Sequence, residues 1–146
     1  MSALRSILDE KTVPVQYVGP QATAHDAVAK MSQHHIGSLL VEENDEPIGI
    51  ISERDIMTRL VLQHRDPKTT SVRDIMTKDV LCIDLDHEPE QVMALMTERR
   101  VRHLPVVENG KVVGIISIGD LVRWVSRNQD FEIRVMRDYV CGVYPG

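Results

Sequence analysis

An internal repeat constrains the fold of this chain more than any other feature. When the sequence is shifted by 65 residues, Asp26–Thr58 aligns with Gln91–Arg123 without a gap, and 11 of the 33 aligned positions are identical. The identical pairs include Gly49/Gly114, Ser52/Ser117 and Asp55/Asp120. A unit of this length is too long for a solenoid repeat and short for an independent domain. Two copies are therefore predicted to pack on each other around a pseudo-two-fold axis.

Each copy has the pattern strand, helix, strand, strand, helix, which predicts an α/β (α+β) fold. Short apolar segments predict the first strands at Val15–Val18 and Val80–Ile83. Apolar spacing predicts a helix after each, with inward faces at Val28, Met31 and His35 and at Val92, Leu95, Met96 and Arg99. The predicted hairpin strands are Ser38–Glu42, Pro47–Ile51, His103–Val107 and Lys111–Ile116. Asn109-Gly110 is a strong hairpin turn signal.

The remaining segments complete two predicted units. Second helices are expected at Glu53–Gln63 and Ile118–Arg127, and extra terminal helices at Ser2–Glu10 and Arg127–Tyr139. The first unit, residues 1–70, then contains repeat 1, the N-terminal helix and a polar linker from His64. The second unit, residues 71–146, contains repeat 2 and the C-terminal helix, and the two units together form one module.

Composition and motifs exclude several classes of function. No apolar run approaches the roughly 20 residues of a membrane helix, and the charged segment Met1–Glu10 does not fit a signal peptide, so a cytoplasmic protein is expected. The net charge of -5 argues against binding to nucleic acid or anionic membranes. Cys82 and Cys141 lack metal or redox spacing, and neither an HExxH nor a phosphate-loop motif occurs. No metal, catalytic residue or enzymatic activity is expected.

Four short motifs resemble those of CBS domains. They are Gly49-Ile-Ile-Ser-Glu-Arg-Asp55, Gly114-Ile-Ile-Ser-Ile-Gly-Asp120, Asp74-Ile-Met-Thr77 and Arg102-His-Leu-Pro-Val-Val107. The resemblance extends over about Ile7–Arg127 and occurs twice at one spacing. It implies a stand-alone pair of CBS repeats, called a Bateman module, which binds an adenosine-containing nucleotide in the clefts between the repeats.

The resemblance also implies roles for individual residues. Asp55 and Asp120 are expected to accept hydrogen bonds from ribose hydroxyls, and Ser52 and Ser117 to contact phosphate or ribose. A structural interpretation stays open beside it, because Ser-x-x-Asp at a helix start is also a capping-box-like pattern. One serine can serve both purposes.

Further ligand contacts are expected around these carboxylates. The resemblance to CBS domains implies an adenine pocket formed by Val13, Val15, Leu40 and Ile51 in the first copy and by Lys78, Asp79, Val80, Pro105 and Ile116 in the second. The predicted phosphate ligands are Arg54, Arg99, Arg100, Arg102 and His103. Core packing is the competing interpretation for the apolar positions, and a solvated basic face is the competing one for the arginines.

The expected function is regulatory. AMP is the leading ligand candidate, ATP and NAD(H) are alternatives, and the reporting partner is an effector protein of unknown identity. A homodimer is expected to form through the second helices, with candidate contacts at Met57, Leu60, Val61, Val122 and Trp124. The alternative is a structural or interaction module that dimerises without binding a nucleotide.

Overall fold

The fold consists of two three-stranded sheets with short helices around them, as given by a computed structural model that describes residues 2–127. The elements of repeat 1 and its lead-in are α1 (Ala3–Glu10), β1 (Tyr17–Val18), α2 (Ala24–His34), β2 (Ser38–Glu43), β3 (Glu46–Ser52) and α3 (Glu53–Asp55), which continues as a π-helical segment (Ile56–Val61). The elements of repeat 2 and its lead-in are α4 (Val72–Ile75), β4 (Ile83–Asp84), α5 (Pro89–Arg99), β5 (His103–Glu108), β6 (Lys111–Ser117) and α6 (Ile118–Arg127). The lead-in of each repeat is the segment before its first strand, residues 3–16 and 72–82. The expected C-terminal helix lies outside the described residues beyond Arg127.

The two sheets have the same topology, which confirms the predicted α/β pair of repeats. Their strand orders are β1-β2-β3 and β4-β5-β6, with a parallel first pair and an antiparallel hairpin in each. Both hairpins turn through two residues of positive φ, Asn44-Asp45 and Asn109-Gly110. The first strands are shorter than predicted and begin later, at Tyr17 and Ile83.

The inward faces of the first helices differ in part from the prediction. Met31, Val92 and Met96 are buried as expected, but Val28, His35 and Arg99 are exposed. The buried positions of α2 are instead Ala24, Ala27 and Met31, with three- and four-residue spacing. The prediction favoured the larger Val28, whereas the close approach of α2 to its sheet uses small alanines.

Each repeat core is completed by the short helix that precedes the other repeat. Leu4 and Ile7 of α1 are buried with Ile83, Val92, Met96 and Leu121 of repeat 2. In the same way, Val72, Ile75 and Met76 are buried in the core of repeat 1. The predicted division at residues 70 and 71 therefore separates each core from the helix that completes it, although it does mark the point where the second lead-in begins.

The two signature glycines allow these crossed lead-ins to approach the sheets. A Cβ atom on Gly49 would lie 2.6 Å from the Thr77 carbonyl oxygen, and one on Gly114 would lie 2.5 Å from Leu8 Cδ2. At Gly49 the lead-in pairs with β3 directly, because the Ile50 amide donates to the Thr77 carbonyl at 3.0 Å and the Thr77 amide donates back at 2.8 Å.

A third apolar cluster, which we call the interface cluster, joins the repeats. Leu40 and Ile50 from the first sheet are buried with Ile115 from the second, and Val15, Val80 and Val112 pack around them. This cluster lies on the opposite face of each sheet from the repeat cores, so both faces of the hairpins are apolar. The clefts lie at the rims of this interface.

Candidate functional site

Each repeat places an aspartate in the first turn of its second helix. In repeat 2, the Ser117 amide donates to Asp120 Oδ2 at 2.9 Å, and the Asp120 amide donates to Ser117 Oγ at 3.1 Å. The Ser52/Asp55 pair makes the reciprocal capping box, with distances of 2.9 and 3.3 Å. The capping interpretation of both motifs is therefore confirmed, and the carboxylate oxygens still accept further partners.

Two cations hold the Asp120 carboxylate from outside its own capping box. The Lys11 ammonium lies 2.9 Å from Oδ2 and also donates to the Ile115 carbonyl at 2.7 Å. Arg123 donates to Oδ1 at 2.7 Å. Burial alone would raise the pKa of Asp120, but the hydrogen bonds from Ser117 and Lys11 together lower it below its ordinary value. Asp120 is thus an anchored anion at neutral pH.

A cleft of about 710 Å³ opens beside Asp120, a size that suits a small-molecule ligand. We call it the Asp120 cleft. Its walls come from the lead-in of repeat 1, the α2–β2 junction, the second hairpin and α6. The residues that line it include Lys11, Val13, Val15, His103, Ser117 and Arg123.

His103 adds a titratable group to this cleft. Burial lowers its pKa below the ordinary value, an effect that the nearby Lys11 and Arg102 charges increase and the Glu53 and Asp120 carboxylates oppose. The ring also lies close to repeat 1, since a Cβ atom on Gly37 would be 3.2 Å from His103 Nε2. His103 therefore connects the second hairpin with the opposite repeat as a mainly neutral imidazole at neutral pH.

The Asp55 side chain is also buried, with 9% of its surface exposed. Thr77 Oγ1 donates to Asp55 Oδ1 at 3.0 Å, and Arg59 Nε lies 3.9 Å from the same oxygen. Arg59 also donates to the Met76 carbonyl at 2.6 Å. The pocket nearby, about 440 Å³, is lined by Arg59, Arg73, Asp74, Met76 and Lys78.

The two sites use crossed lead-ins, which changes the grouping of the predicted adenine residues. Val13 and Val15 from the start of the chain line the Asp120 cleft, whereas Lys78 lines the pocket near Asp55. Asp79 is exposed, and Val80 packs in the interface cluster. Lead-in and carboxylate at each site thus come from different repeats.

The hairpin residues of the predicted adenine pocket need a correction of one strand position. Ile51 and Ile116 have no exposed surface and lie in the repeat cores, so they do not line a cleft. Leu40 is in the interface cluster, and Pro105 pairs with Ile115 on that same face. Ile115, which was not predicted, lines the Asp120 cleft. Adjacent strand residues point to opposite faces, which accounts for the error.

The predicted phosphate ligands are only partly brought together. His103 lines the Asp120 cleft, but Arg99, Arg100 and Arg102 are exposed and are absent from the linings of both described pockets. Arg100 ends α5 in a left-handed conformation, and its carbonyl accepts a hydrogen bond from Arg54 at 2.8 Å. The positive charge near Asp120 comes instead from Lys11, Arg123 and Arg127, which sequence reasoning missed.

The sequence contains only a weak signal for the residues that were missed. Lys11 and Thr77 belong to the lead-ins, and their aligned partners are Met76 and Thr12. The alignment shows that Lys11 replaces an apolar residue, but the crossed path that takes it to Asp120 is a tertiary property. Arg123, by contrast, is three residues after Asp120 on one helix, a spacing that brings side chains together.

Metal sites and membrane-spanning helices are both absent from the part of the chain that the structure describes. Within residues 2–127, no group of three or more His, Cys, Asp or Glu side chains is arranged to hold a metal ion. No helix in that same range is both long enough and apolar enough to cross a membrane.

The fold and the paired carboxylates define a module of two tandem α/β repeats with ligand-sized clefts at their interface. A model of the CBS domain family matches residues 5–62 and again 72–127. This chain belongs to the CBS domain family and contains a pair of these domains.

The relatives agree with this assignment. The chain is 39% identical over 127 residues to the CBS domain-containing protein CBSX3, mitochondrial, of Arabidopsis thaliana. The aligned region covers 84% of this chain but only 62% of that protein. The chain thus spans about three fifths of this relative.

Solved structures share the fold. The crystal structure of the CBS domain NE2398 is 43% identical, with a TM-score of 0.78 over 84% of this chain and 97% of the other. A hexameric CBS-CP12 protein from bloom-forming cyanobacteria is 28% identical, with a TM-score of 0.73 over 94% and 81%. The CBS domain pair of MJ0100, solved with 5-methylthioadenosine and S-adenosyl-L-methionine, is 22% identical with a TM-score of 0.73 over 84% and 97%, and this likeness concerns the fold.

Proposed function

We propose that this CBS pair is a non-catalytic regulatory module that binds one adenosine-containing nucleotide in the Asp120 cleft and signals its presence to a partner protein. The observation that carries the proposal is the placement of a buried, ionised carboxylate beside the free volume of the cleft. A carboxylate offers two acceptor oxygens to the cis-diol of a ribose. MJ0100, the structural neighbour with adenosine compounds in its CBS pair, provides a precedent for this ligand class.

The walls of the Asp120 cleft suit the rest of such a ligand. Val13, Val15 and Ile115 provide apolar surface on which an adenine ring can pack. Ser117 and Arg123 provide a hydroxyl and a guanidinium for a phosphate. The Asp55 site suits a ligand less well, because its lead-in pairs with β3 and because the pocket nearby is smaller, about 440 Å³, and is not lined by Asp55.

Regulation follows if the ligand binds one arrangement of the repeats more tightly than another. The Asp120 cleft joins the lead-in and α2–β2 junction of repeat 1 to β6 and α6 of repeat 2. A ligand bound there contacts both repeats, so its binding energy bears on their relative pose. The surface that the effector protein reads changes with that pose.

Isothermal titration with AMP, ATP, NADH and S-adenosylmethionine tests this proposal. We expect one saturable site on nucleotide-stripped protein, with AMP the first candidate, and at least about a tenfold loss of affinity in Asp120→Asn, the size that a hydrogen bond to a charged group supplies. Asp55→Asn is the matched control and should retain binding. No heat of binding with any of the four ligands to folded protein would reject the proposal.

An interaction module without a ligand is the second candidate, favoured by one specific observation. Met57, Val61 and the following Leu62 are 58%, 63% and 68% exposed, and they form an apolar patch on the π-helical segment and its end. Such a patch is typical of a protein contact. We propose that this patch contributes to a homodimer. Of the other predicted dimer contacts, Leu60 is in the core of repeat 1, and Val122 and Trp124 are partly buried.

A further inference from the structure

Lys11 is the clearest difference between the two pseudo-symmetric sites. Its ammonium lies 2.9 Å from Asp120 Oδ2, while the aligned residue in the other lead-in is Met76, which is buried in the core of repeat 1. The Lys11 side chain is 30% exposed and the Asp120 side chain 7%. The repeat thus provides a natural reference in which the same position carries no charge.

The charges that line the Asp120 cleft do not balance. Its cations are Lys11, Arg123 and Arg127, and its anions are Glu10 and Asp120. Glu10 is already paired with Arg127 at 2.6 Å, so two cations share the single Asp120 carboxylate. His103 adds no full charge at neutral pH, because burial lowers its pKa. Among the described residues that line the cleft, one positive charge is therefore in excess.

When a ribose binds to Asp120, this excess charge determines which ligands bind favourably. A hydroxyl that donates to Oδ2 competes with the Lys11 ammonium for the same oxygen. The displaced ammonium remains near the cleft, since Lys11 directly follows α1, whose Leu4 and Ile7 are fixed in the core of repeat 2. A phosphate group gives the ammonium a new anionic partner, an uncharged nucleoside does not, and a sulfonium group is repelled.

We infer that Lys11 is a specificity-determining residue that makes the Asp120 cleft select phosphate-bearing adenosine nucleotides over uncharged adenosine and over cationic S-adenosyl compounds. This inference rests on the proposed function, because it concerns the same cleft. It goes further in naming the chemical class of the ligand and the residue that selects it.

The test is a comparison of AMP, adenosine and S-adenosylmethionine by isothermal titration of wild-type protein and Lys11→Met, which introduces the residue of the other lead-in. We expect the wild type to bind AMP at least about tenfold more tightly than either other ligand. In Lys11→Met the AMP-to-adenosine affinity ratio should fall by about tenfold, and Lys11→Arg should retain it. AMP binding, but not adenosine binding, should weaken at higher ionic strength.

Matched controls separate the possible failures. Lys111→Met removes the same charge at an exposed position of the second hairpin and should leave the ratio unchanged. An unchanged ratio in folded Lys11→Met, or wild-type protein that binds S-adenosylmethionine as tightly as AMP, would overturn the role of Lys11 while leaving the proposed function intact. Wild-type protein that binds none of the three ligands would overturn both.

Discussion

At the scale of single residues, the signature glycines show why a short motif recurs in both repeats. Gly49 and Gly114 both lie where a lead-in segment crosses the hairpin, and a Cβ atom at either position would be too close to that segment. The obstacles differ, since Gly49 faces a backbone carbonyl and Gly114 faces the end of the Leu8 side chain. The same substitution should therefore have different costs at the two sites.

Gly49→Ala is predicted to destabilise the protein more than Gly114→Ala. The Thr77 carbonyl is fixed by its pairing with Ile50, whereas Leu8 can change its side-chain conformation. We expect a loss of about 1–3 kcal/mol in the free energy of unfolding for Gly49→Ala, the usual cost of overpacking. Urea unfolding of both variants measures the difference, and equal losses would contradict this account of the two contacts.

His103 should make folding stability depend on pH. Burial lowers its pKa in the folded state below the ordinary value of 6.5, so the unfolded chain binds this proton more readily. Stability from this residue is complete above pH 6.5 and decreases as the pH falls from there toward the folded-state pKa. We expect His103→Gln to lose less stability than the wild type between pH 7.5 and 5.5 in urea unfolding. An identical decrease in both proteins would contradict the role of His103.

The residue scale also shows how far the sequence could predict the site. The caps formed by Ser52 and Asp55 and by Ser117 and Asp120 could be predicted from their local spacing. Their roles toward a ligand are implied by the resemblance to CBS domains and stay predictions. The choice between Ile50 and Ile51 could not be predicted, since both strand faces are buried and the apolar run therefore gives no phase. Lys11 was missed because a contact across 109 residues has no local pattern.

At the scale of secondary-structure elements, the two repeats exchange their lead-in helices α1 and α4, so the core of each repeat contains a helix that precedes the other repeat. α1 precedes repeat 1 in the chain but completes the core of repeat 2, and α4 does the reverse. The order of the helices and strands and the two hairpins could be predicted from periodicity and turn signals. The exchange could not be predicted, because the apolar face of an eight-residue amphipathic helix does not indicate which core it packs against.

Leu4→Ala in α1 is predicted to destabilise repeat 2. Leu4 has no exposed surface, so its truncation leaves a cavity next to Ile83, Val92 and Leu121, at a cost of about 2–5 kcal/mol. Val28→Ala is the control, because Val28 is 40% exposed on α2 and lies outside the proposed dimer patch, so its truncation should cost less than about 0.5 kcal/mol. Similar losses for the two variants in chemical unfolding would show that α1 does not complete this core.

At the scale of the whole molecule, the pseudo-two-fold symmetry is broken where function is proposed. One lead-in pairs with β3 and closes the Asp55 site, whereas the other sends Lys11 to the Ile115 carbonyl and leaves a larger cleft beside Asp120. The repeat predicted a serine and an aspartate in each of the two sites. The different residues at position 11 and position 76 make them unequal.

Assembly is a second property of the whole molecule, and it depends on the exposed apolar patch of the π-helical segment. Met57→Lys is predicted to weaken the proposed homodimer, because it places a charge at the centre of a contact that excludes water. Analytical ultracentrifugation should show an increase in monomer of at least about tenfold in the dissociation constant. Val28→Lys, at an exposed apolar position on α2, is the control. A wild-type monomer, or an unchanged dimer in Met57→Lys, would reject this patch as the contact.

We propose that the nucleotide binds in the Asp120 cleft rather than at the Asp55 site. Titration of ¹⁵N-labelled protein with AMP, followed by amide chemical shifts in NMR spectra, tests this location directly. If AMP binds in the Asp120 cleft, we expect saturable chemical-shift changes at Lys11, Val13, Ser117 and Asp120, and much smaller changes at Asp55 and Thr77. Shifts centred on Asp55 and Thr77, or none at saturating AMP, would contradict it.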